Sequence, residues 1–414
     1  MSPAPRVSTE RDTRPLGRFE RFLLNRAIDA MGHPPFSFVL WSGETLEGAP
    51  GRPSRLRLHL RDRRLLREVL RSRDLAFGEA YVDGRLEVEG DLVQAIELAF
   101  AAANRAPRWA RAVSRLLTWH SHLNPRSRAR RNVHHHYDLG NDFYRLWLDE
   151  RMVYTCAYFE QPGMSLEEAQ VAKLEHVCRK LRLRPGERVV EAGCGWGALA
   201  LHAAEHYDVR VRAYNVSSEQ IRFAREEARR RGLENRVEFV EDDYRKARDA
   251  CDAFVSVGML EHVGPAHYRS LGKVVDRCLA PDGRGLLHFI GHVYPIQMSP
   301  WLNRYIFPGA YIPALSEMLP VLEPRHFEVQ DVENLRRHYA RTLEHWLERF
   351  EKSSEQVARR YDERFVRMWR IYLSSSIASF HEGTSTLYQV LFTRSGSRAQ
   401  HRLPMSRADL HAGS

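Results

Sequence analysis

From about residue 185 the sequence alternates short apolar, β-branched runs with helical segments, and this order constrains the fold more than any other feature. RVVEAG is followed by a helical pattern through LALHAAEHY, then VRVRAYN, a helix through EQIRFAREEARRRG, RVEFVE and DAFVSVG; a further helix leads to GRGLLHFIG. Alternation of this kind packs apolar strands between two helical layers, so it predicts an α/β, doubly wound, Rossmann-like parallel sheet whose ligand sits at the carboxyl ends of the strands. The first strand turns into the first helix at Gly193-Cys194-Gly195-Trp196-Gly197. Read through Ala198, the same turn is G-x-G-x-x-A, which is also a dinucleotide fingerprint.

The acidic residues around the turn favour one cofactor over the other. A dinucleotide site usually carries a carboxylate about 20 positions on, to hold the ribose. Here the end of the second strand reads Ala213-Tyr214-Asn215-Val216-Ser217, with no carboxylate. Instead Glu191 precedes the turn, and Asp242 and Asp243 follow the third strand. Carboxylates repel a pyrophosphate and suit a sulfonium cofactor with an amino-acid tail, so S-adenosylmethionine is favoured over NAD and the sheet is expected to be of the class I methyltransferase type. Taken singly, Glu191 or Asp243 also reads as a solvated strand-end carboxylate.

The rest of the chain divides near residues 119–132, where SHLNPRSRARRNV is polar, basic and interrupted by proline. The expected organisation is a basic N-terminal lipid-binding domain at 1–118, a linker at 119–132 and a catalytic domain at 133–414. In the first part FSFVLW and RLRLHL read as strands, and RDRRLLREVLRS and GDLVQAIELAFAAA as helices, giving a smaller α/β domain. Two basic amphipathic segments stand out. Phe19, Phe22, Leu23, Ala27, Ala30 and Met31 fall on one helical face beside Arg18, Arg21 and Arg26, and Trp109, Val113, Leu116 and Leu117 do the same beside Arg108, Arg111 and Arg115. Such helices either lie in a membrane interface or pack their stripe on their own domain. A net charge of +10 points to a polyanionic partner. No apolar run approaches the roughly 18 residues that span a bilayer, and the opening residues lack a hydrophobic signal core, so a cytoplasmic protein lying on the inner face of the membrane is expected. Five cysteines without C-x-x-C spacing indicate neither a disulfide framework nor a zinc site, and His134-His135-His136 lacks a spaced partner for metal.

Further motifs flank the sheet: HHHYDLGNDFYRLWLDERMVYTCAYFE (134–160), GMLEHVGPAHY (258–268), LLHFIGH (286–292), WLNRYIFPG (301–309) and RRHYARTLEHW (336–346). With VVEAGCGWG they make residues 130–395 resemble the cyclopropane fatty acid synthases and, more widely, the mycolic acid methyltransferases. The resemblance implies methyl transfer from S-adenosylmethionine to the cis double bond of an unsaturated phospholipid acyl chain and closure to a cyclopropane, with bound bicarbonate as the base. It carries pocket roles to Cys156, Glu261, His288, the backbone of Ile290, and Tyr339. Cofactor contacts carry over to Tyr154, Thr155, Gly193, Gly195, Asn215, Gln220, Asp243 and Tyr244, with Glu191 as the first-strand acid. Glu191 stands where the family commonly has aspartate, and Asn215 where its best-known members have threonine. A homodimer and an anionic phospholipid surface are expected partners; nucleic acid is not.

Those residue types suit the chemistry. An alkene is a poor nucleophile, so the methyl group must be held in line with it where water is excluded. Transfer leaves a cation that aromatic faces can stabilise; Tyr137, Phe143, Tyr158, Trp301, Tyr305 and Phe307 are candidates for that wall. A histidine, a tyrosine hydroxyl, a backbone N–H and a thiol can hold a small anion that accepts the leaving proton, with Glu261 orienting it. Each residue also has a plainer reading: Cys156 as a small buried side chain, Glu261-His262 as a structural pair capping a helix, His288 as a satisfied core histidine, Tyr339 as packing. An NAD-dependent oxidoreductase, a nucleic-acid methylase and a lipid binder without catalysis are the rival classes. The first lacks its ribose acid and the second would usually show an N/D-P-P-aromatic site where VSVGMLEHVG stands. The third runs against the complete pocket set. A methylene- or methyl-branched product remains open beside the cyclopropane.

Overall fold

The computed structural model describes residues 14–30, 32–49, 51, 56–71, 73–105, 139–398, 400 and 403–408. The chain forms two compact units: Met1–Leu117 with Ser299–Trp301 and Ser354–Glu382, and Thr118–Met298 with Leu302–Ser353 and Gly383–Ser414.

The first unit has four strands, β1 (Phe36–Leu40), β2 (Thr45–Glu47), β3 (Leu56–Leu60) and β4 (Leu86–Glu89), in the order β2-β1-β3-β4. β1 and β3 run parallel; the other pairs are antiparallel. In β3 the alternation LRLHL puts Leu56, Leu58 and Leu60 into the core with Phe36, Phe38 and Leu65. Two short strands, β2 and β4, were not expected from the sequence: three or four residues of mixed polarity carry too little periodicity to read. The helix Glu363–His381 belongs to this unit, although its sequence position suggested the catalytic domain. Arg367 donates to the carbonyls of Tyr81 (2.6 Å) and Leu86 (3.1 Å) and lies over the Tyr81 ring at 4.3 Å, while Arg364 pairs with Asp83 at 2.9 Å.

The helix Arg18–Ala30 buries a different stripe from the one that carries Phe19 and Phe22. Leu24 and Ile28 go into the core with Leu16, an i, i+4 stripe, whereas Phe19 and Phe22 are 71% and 58% exposed. Arg18, Arg21 and Arg26 are exposed beside them. The side chains of Leu23, Ala27 and Ala30, together with Met31, the segment holding Trp109 to Leu117, the 119–132 linker, His134 to His136 and Tyr137, lie outside the described residues.

The second unit carries β5 (Arg188–Ala192), β6 (Arg210–Asn215), β7 (Val237–Glu241), β8 (Cys251–Val257), β9 (Leu279–His292), β10 (Phe327–Asn334) and β11 (Ser385–Arg394), in the order β10-β11-β9-β8-β5-β6-β7. β5 to β9 are parallel, as the alternation required; β11 is antiparallel to β9 and β10 to β11. Side-chain alternation loads both faces: Val189, Val211, Phe239 and Val255 enter one core, Val190, Ala192, Phe254 and Phe289 the other. The strand order reverses between β5 and β8, and an open α/β sheet binds its ligand at such a switch point.

Candidate active site

At the carboxyl end of β5 the chain makes the glycine turn, anchored by Gly193 and Cys194 N–H groups donating to the Tyr214 carbonyl at 2.9 and 3.1 Å. Gly193 has φ +84°, and a Cβ there would come within 2.9 Å of Met259 Cβ. Gly195, at φ +54°, would project its Cβ into open space, so the backbone there faces a cavity. All nine residues assigned to the cofactor line this one cavity: Tyr154, Thr155, Glu191, Gly193, Gly195, Asn215, Gln220, Asp243 and Tyr244. Lys173, Met259 and His262 share its wall. Asn215 is tied in from three sides, donating to the Gly195 carbonyl (3.1 Å) and to Gln220 Oε1 (2.7 Å) and accepting from Ser217 N–H (3.2 Å).

The carboxylates are less open than the sequence suggested. Asp243 is held by the Arg245 guanidinium at 2.8 and 2.6 Å, and Asp242 pairs with Lys246 at 2.9 Å. Glu191 is buried with Oε2 lacking a hydrogen-bond partner, and burial pushes its carboxyl up to about 7 against the opposing pull of Lys173. The charge offered to a cationic ligand therefore rests on Glu191 and the polar cage at Asn215 and Gln220.

Residues 152–155 line the cavity, and the stretch 152–159, MVYTCAYF, is fastened at almost every position. Met152 takes a left-handed φ of +58°, a conformation costing about 1–2 kcal/mol, and the turn is fixed by Asp149, whose carboxylate accepts from Arg151 and Val153 N–H at 3.0 and 2.8 Å. From the helix Leu166–Leu181, Gln170 Nε2 donates to the Thr155 carbonyl (2.8 Å), Lys173 Nζ to Thr155 Oγ1 (2.9 Å), and the Ala169 carbonyl accepts from Tyr158 N–H (2.9 Å). From the helix Arg336–Lys352, Thr342 Oγ1 accepts from Ala157 N–H (3.0 Å) and His338 Nδ1 from Phe159 N–H (3.0 Å). Trp346 is fully buried, 5.2 Å from the Tyr154 ring and 5.9 Å from that of Tyr339.

The proposed pocket residues are all buried except the half-buried Ile290. Glu261 sits in a short 3₁₀ turn after β8, and its Oε1 accepts from Ile290 N–H at 2.6 Å instead of capping a helix. Among the described residues its Oε2 has no partner, and burial pushes the carboxyl up to about 7. His288 lies two residues before Ile290 on β9 and faces Gln389 of β11, whose Nε2 donates to His288 Nδ1 at 3.1 Å. That bond makes Nδ1 the acceptor and leaves the proton on Nε2, an N–H donor with no partner. Desolvation holds the ring neutral. The Cys156 thiol, pushed up by burial, donates to the Ala157 carbonyl at 3.2 Å and lies 4.0 Å from that of Leu335. Leu335 also accepts the Tyr339 N–H at 3.1 Å. Of the aromatic candidates, Tyr158 is stacked between His176 and His338 at 4.1 and 4.7 Å, and Phe143 is edge-on to Tyr144 and Trp147. Phe307 meets His262 edge-on at 6.2 Å, Tyr305 carries Arg304 over its ring, and Trp301 is buried in the first unit.

Sequence reasoning passed over Asp149, Gln170, Lys173, Thr342 and Gln389. The signal for two of them was present: Gln170 and Lys173 stand three apart in EEAQVAK, on one helical face. Gln389 lies in an apolar strand with no motif around it.

The carboxyl of Glu261 gives a stability signature. Because its folded value, near 7, exceeds the ordinary 4.5, the unfolded chain releases a proton first as pH rises, and stability falls between about 4.5 and 7 and levels off above. Glu261→Gln should therefore gain stability relative to wild type across that window in urea titrations. A difference independent of pH would contradict the burial of an ionisable group here.

A seven-stranded sheet in this order, with a glycine turn and a buried carboxylate at the end of β5, defines a class I S-adenosylmethionine-dependent methyltransferase. The chain belongs to the mycolic acid cyclopropane synthetase family, which it matches over residues 124–390. Residues 23–108 match a separate domain of unknown function. Among curated relatives, the cyclopropane-fatty-acyl-phospholipid synthase of Escherichia coli K12 is 40% identical over 331 residues, 79% of this chain and 85% of that one. A probable fatty acid methyltransferase of Pseudomonas putida is 34% identical over 393 residues, 92% and 97% of the two chains. The crystal structure of mycolic acid cyclopropane synthase CmaA1 complexed with SAH and CTAB superposes with a TM-score of 0.62 at 30% identity, over 66% of this chain and 99% of that one.

Proposed function

We propose that the protein adds a methylene across the cis double bond of unsaturated acyl chains in membrane phospholipids, forming cyclopropane fatty acids. The observation that carries this reading is that, among the described residues, two buried polar atoms have no hydrogen-bond partner: His288 Nε2, two residues before Ile290 on β9, and Oε2 of Glu261, whose other oxygen accepts from Ile290 N–H. Buried polar atoms in folded proteins are nearly always paired, so an orphaned donor and an orphaned acceptor fit a small ion that offers both, as bicarbonate does. When bound, bicarbonate supplies the base for the proton lost from the transferred methyl group, and S-adenosylmethionine supplies that methyl. The chain's own part is positional. Asn215, Gln220 and Glu191 hold the polar end of the cofactor, residues 152–155 line its cavity, and burial around Cys156, His288 and Tyr339 excludes water that would trap a cation as an alcohol.

Mass spectrometry of cis-unsaturated phospholipid vesicles incubated with the protein and S-adenosylmethionine tests the reading. A gain of one CH2 per chain that resists mild hydrogenation is expected. A gain that hydrogenates would establish instead a methylene-branched product, a second reading supported by the likeness to the P. putida fatty acid methyltransferase. No gain on any unsaturated lipid would overturn both.

The partner in this proposal is an anionic phospholipid surface, with the protein peripheral on the inner face of the membrane. Among the described residues no helix is long and apolar enough to cross a bilayer. The exposed Phe19 and Phe22 beside Arg18, Arg21 and Arg26 support an interfacial contact, in which each arginine contributes about 1 kcal/mol that salt screens. Replacing both phenylalanines by aspartate should abolish co-sedimentation with anionic vesicles, and binding by the unaltered protein should weaken steeply with salt; salt-insensitive binding would contradict this contact.

A further inference from the structure

Lys173 is a fully buried lysine on the wall of the cofactor cavity, and nothing in the reaction as described above uses it. A buried ammonium costs several kcal/mol unless compensated, so its surroundings explain why it is tolerated. Its Nζ donates to Thr155 Oγ1 at 2.9 Å. Three residues earlier on the same helical face, Gln170 fixes the Thr155 carbonyl at 2.8 Å, so one side chain sets the backbone of this position and the other its hydroxyl. A Cβ at Gly258 would approach Thr155 Cγ2 to 2.8 Å, so the glycine leaves the room that the threonine methyl occupies.

The charge matters beyond that bond. Burial lowers Lys173 to about 8, while Asp149 and Glu191 act to hold its proton on. Seen from the other groups, desolvation dominates at Glu191, Cys156 and His288 alike, and the ammonium is the next influence on each. Glu191 belongs to the cofactor cavity; Cys156 and His288 belong to the pocket assigned to the small anion. One buried cation thus sits within electrostatic reach of both.

Building on the function proposed above, we propose that Lys173 is a positioning residue for the reaction: its ammonium locks the Thr155 hydroxyl, keeps Glu191 ionised for the cofactor's amino-acid end, and gives the interior around Cys156 and His288 the positive potential that retains an anion. In the low dielectric of this interior such a charge acts over distances at which a surface lysine would be screened.

Calorimetric titration with S-adenosylhomocysteine between pH 6 and 9 tests the proposal without turnover. Lys173→Gln, which keeps a donor for Thr155 but no charge, should bind about fivefold more weakly at pH 7, because raising a midpoint near 7 by about one unit cuts the ionised fraction from about one half to about one tenth. Thr155→Val, which keeps the charge and loses the hydroxyl, should leave that midpoint in place. Lys173→Met provides a second neutral variant, and circular dichroism verifies the fold of all three. A folded Lys173→Gln or Lys173→Met protein with the midpoint and pH 7 affinity of the wild type would overturn the inference alone. Failure of the wild type to bind S-adenosylhomocysteine would overturn the cofactor assignment and this inference with it.

Discussion

Replacing Glu261 by glutamine is expected to lower the rate of methyl transfer by about 10²- to 10⁴-fold while leaving S-adenosylhomocysteine binding within about twofold, the range over which a positioned acid–base group typically acts. The expectation rests on two features. Oε1 is committed to Ile290 N–H, which fixes the carboxyl plane, and Oε2 is buried with no protein partner. Glutamine preserves the first bond through its carbonyl but turns the second position from an acceptor into a donor. An anion held there would then face an N–H where it had faced an oxygen able to take or share a proton. Glu261 is absent from the wall of the cofactor cavity, so affinity for the nucleoside should be spared. A Glu261→Gln enzyme that retains wild-type turnover would remove the carboxyl from the chemistry; one that fails to bind S-adenosylhomocysteine would show that its role is structural.

The second large effect is expected at Trp346, where alanine should cost about 3–5 kcal/mol of stability in urea unfolding. The indole is fully buried and meets Trp147 at 5.6 Å, Tyr154 at 5.2 Å and Tyr339 at 5.9 Å, so truncation opens a cavity in the aromatic cluster and removes edge contacts worth about 0.5–1.5 kcal/mol each. It also unhitches Tyr154, which lines the cofactor cavity, from Tyr339, so activity should fall further than the loss of folded protein explains. Trp346→Phe should cost much less, because its Nε1–H has no partner to lose. A penalty below about 1 kcal/mol for alanine would mean that the cluster repacks.

What could be read in the sequence was what period and spacing encode. The strands from RVVEAG to GRGLLHFIG and the position of the glycine turn follow from alternation, and the parallel half of the sheet with its switch point follows from them. The antiparallel half was not legible: β10 mixes charges with valines at an edge, and the apolar run of β11 has no neighbouring signal to tell strand from helix. In the site, several of the residues that line one cavity stand at or just past the ends of strands, where a polar residue has few structural reasons to stand. Asp149, Lys173 and Gln389 escaped because their importance lies in which backbone or ring they hold, which one dimension hides, in a turn for Asp149, a helix for Lys173 and a strand for Gln389. On the helix Arg18–Ala30 the sequence left two readings open, and the structure puts Leu24 and Ile28 in the core while Phe19 and Phe22 stay exposed.

The helix Glu363–His381 has a consequence for how the molecule comes into being. It supplies part of the packing of a unit whose four strands lie in the first 105 residues, more than 270 positions earlier in the chain. During synthesis at roughly 5–20 residues per second, the amino-terminal strands therefore wait tens of seconds for a partner that is made after most of the catalytic sheet. Both units therefore close only when the end of the chain has been made, the second on β11, and a gene cut near residue 118 would give two fragments that each hold only part of the first unit.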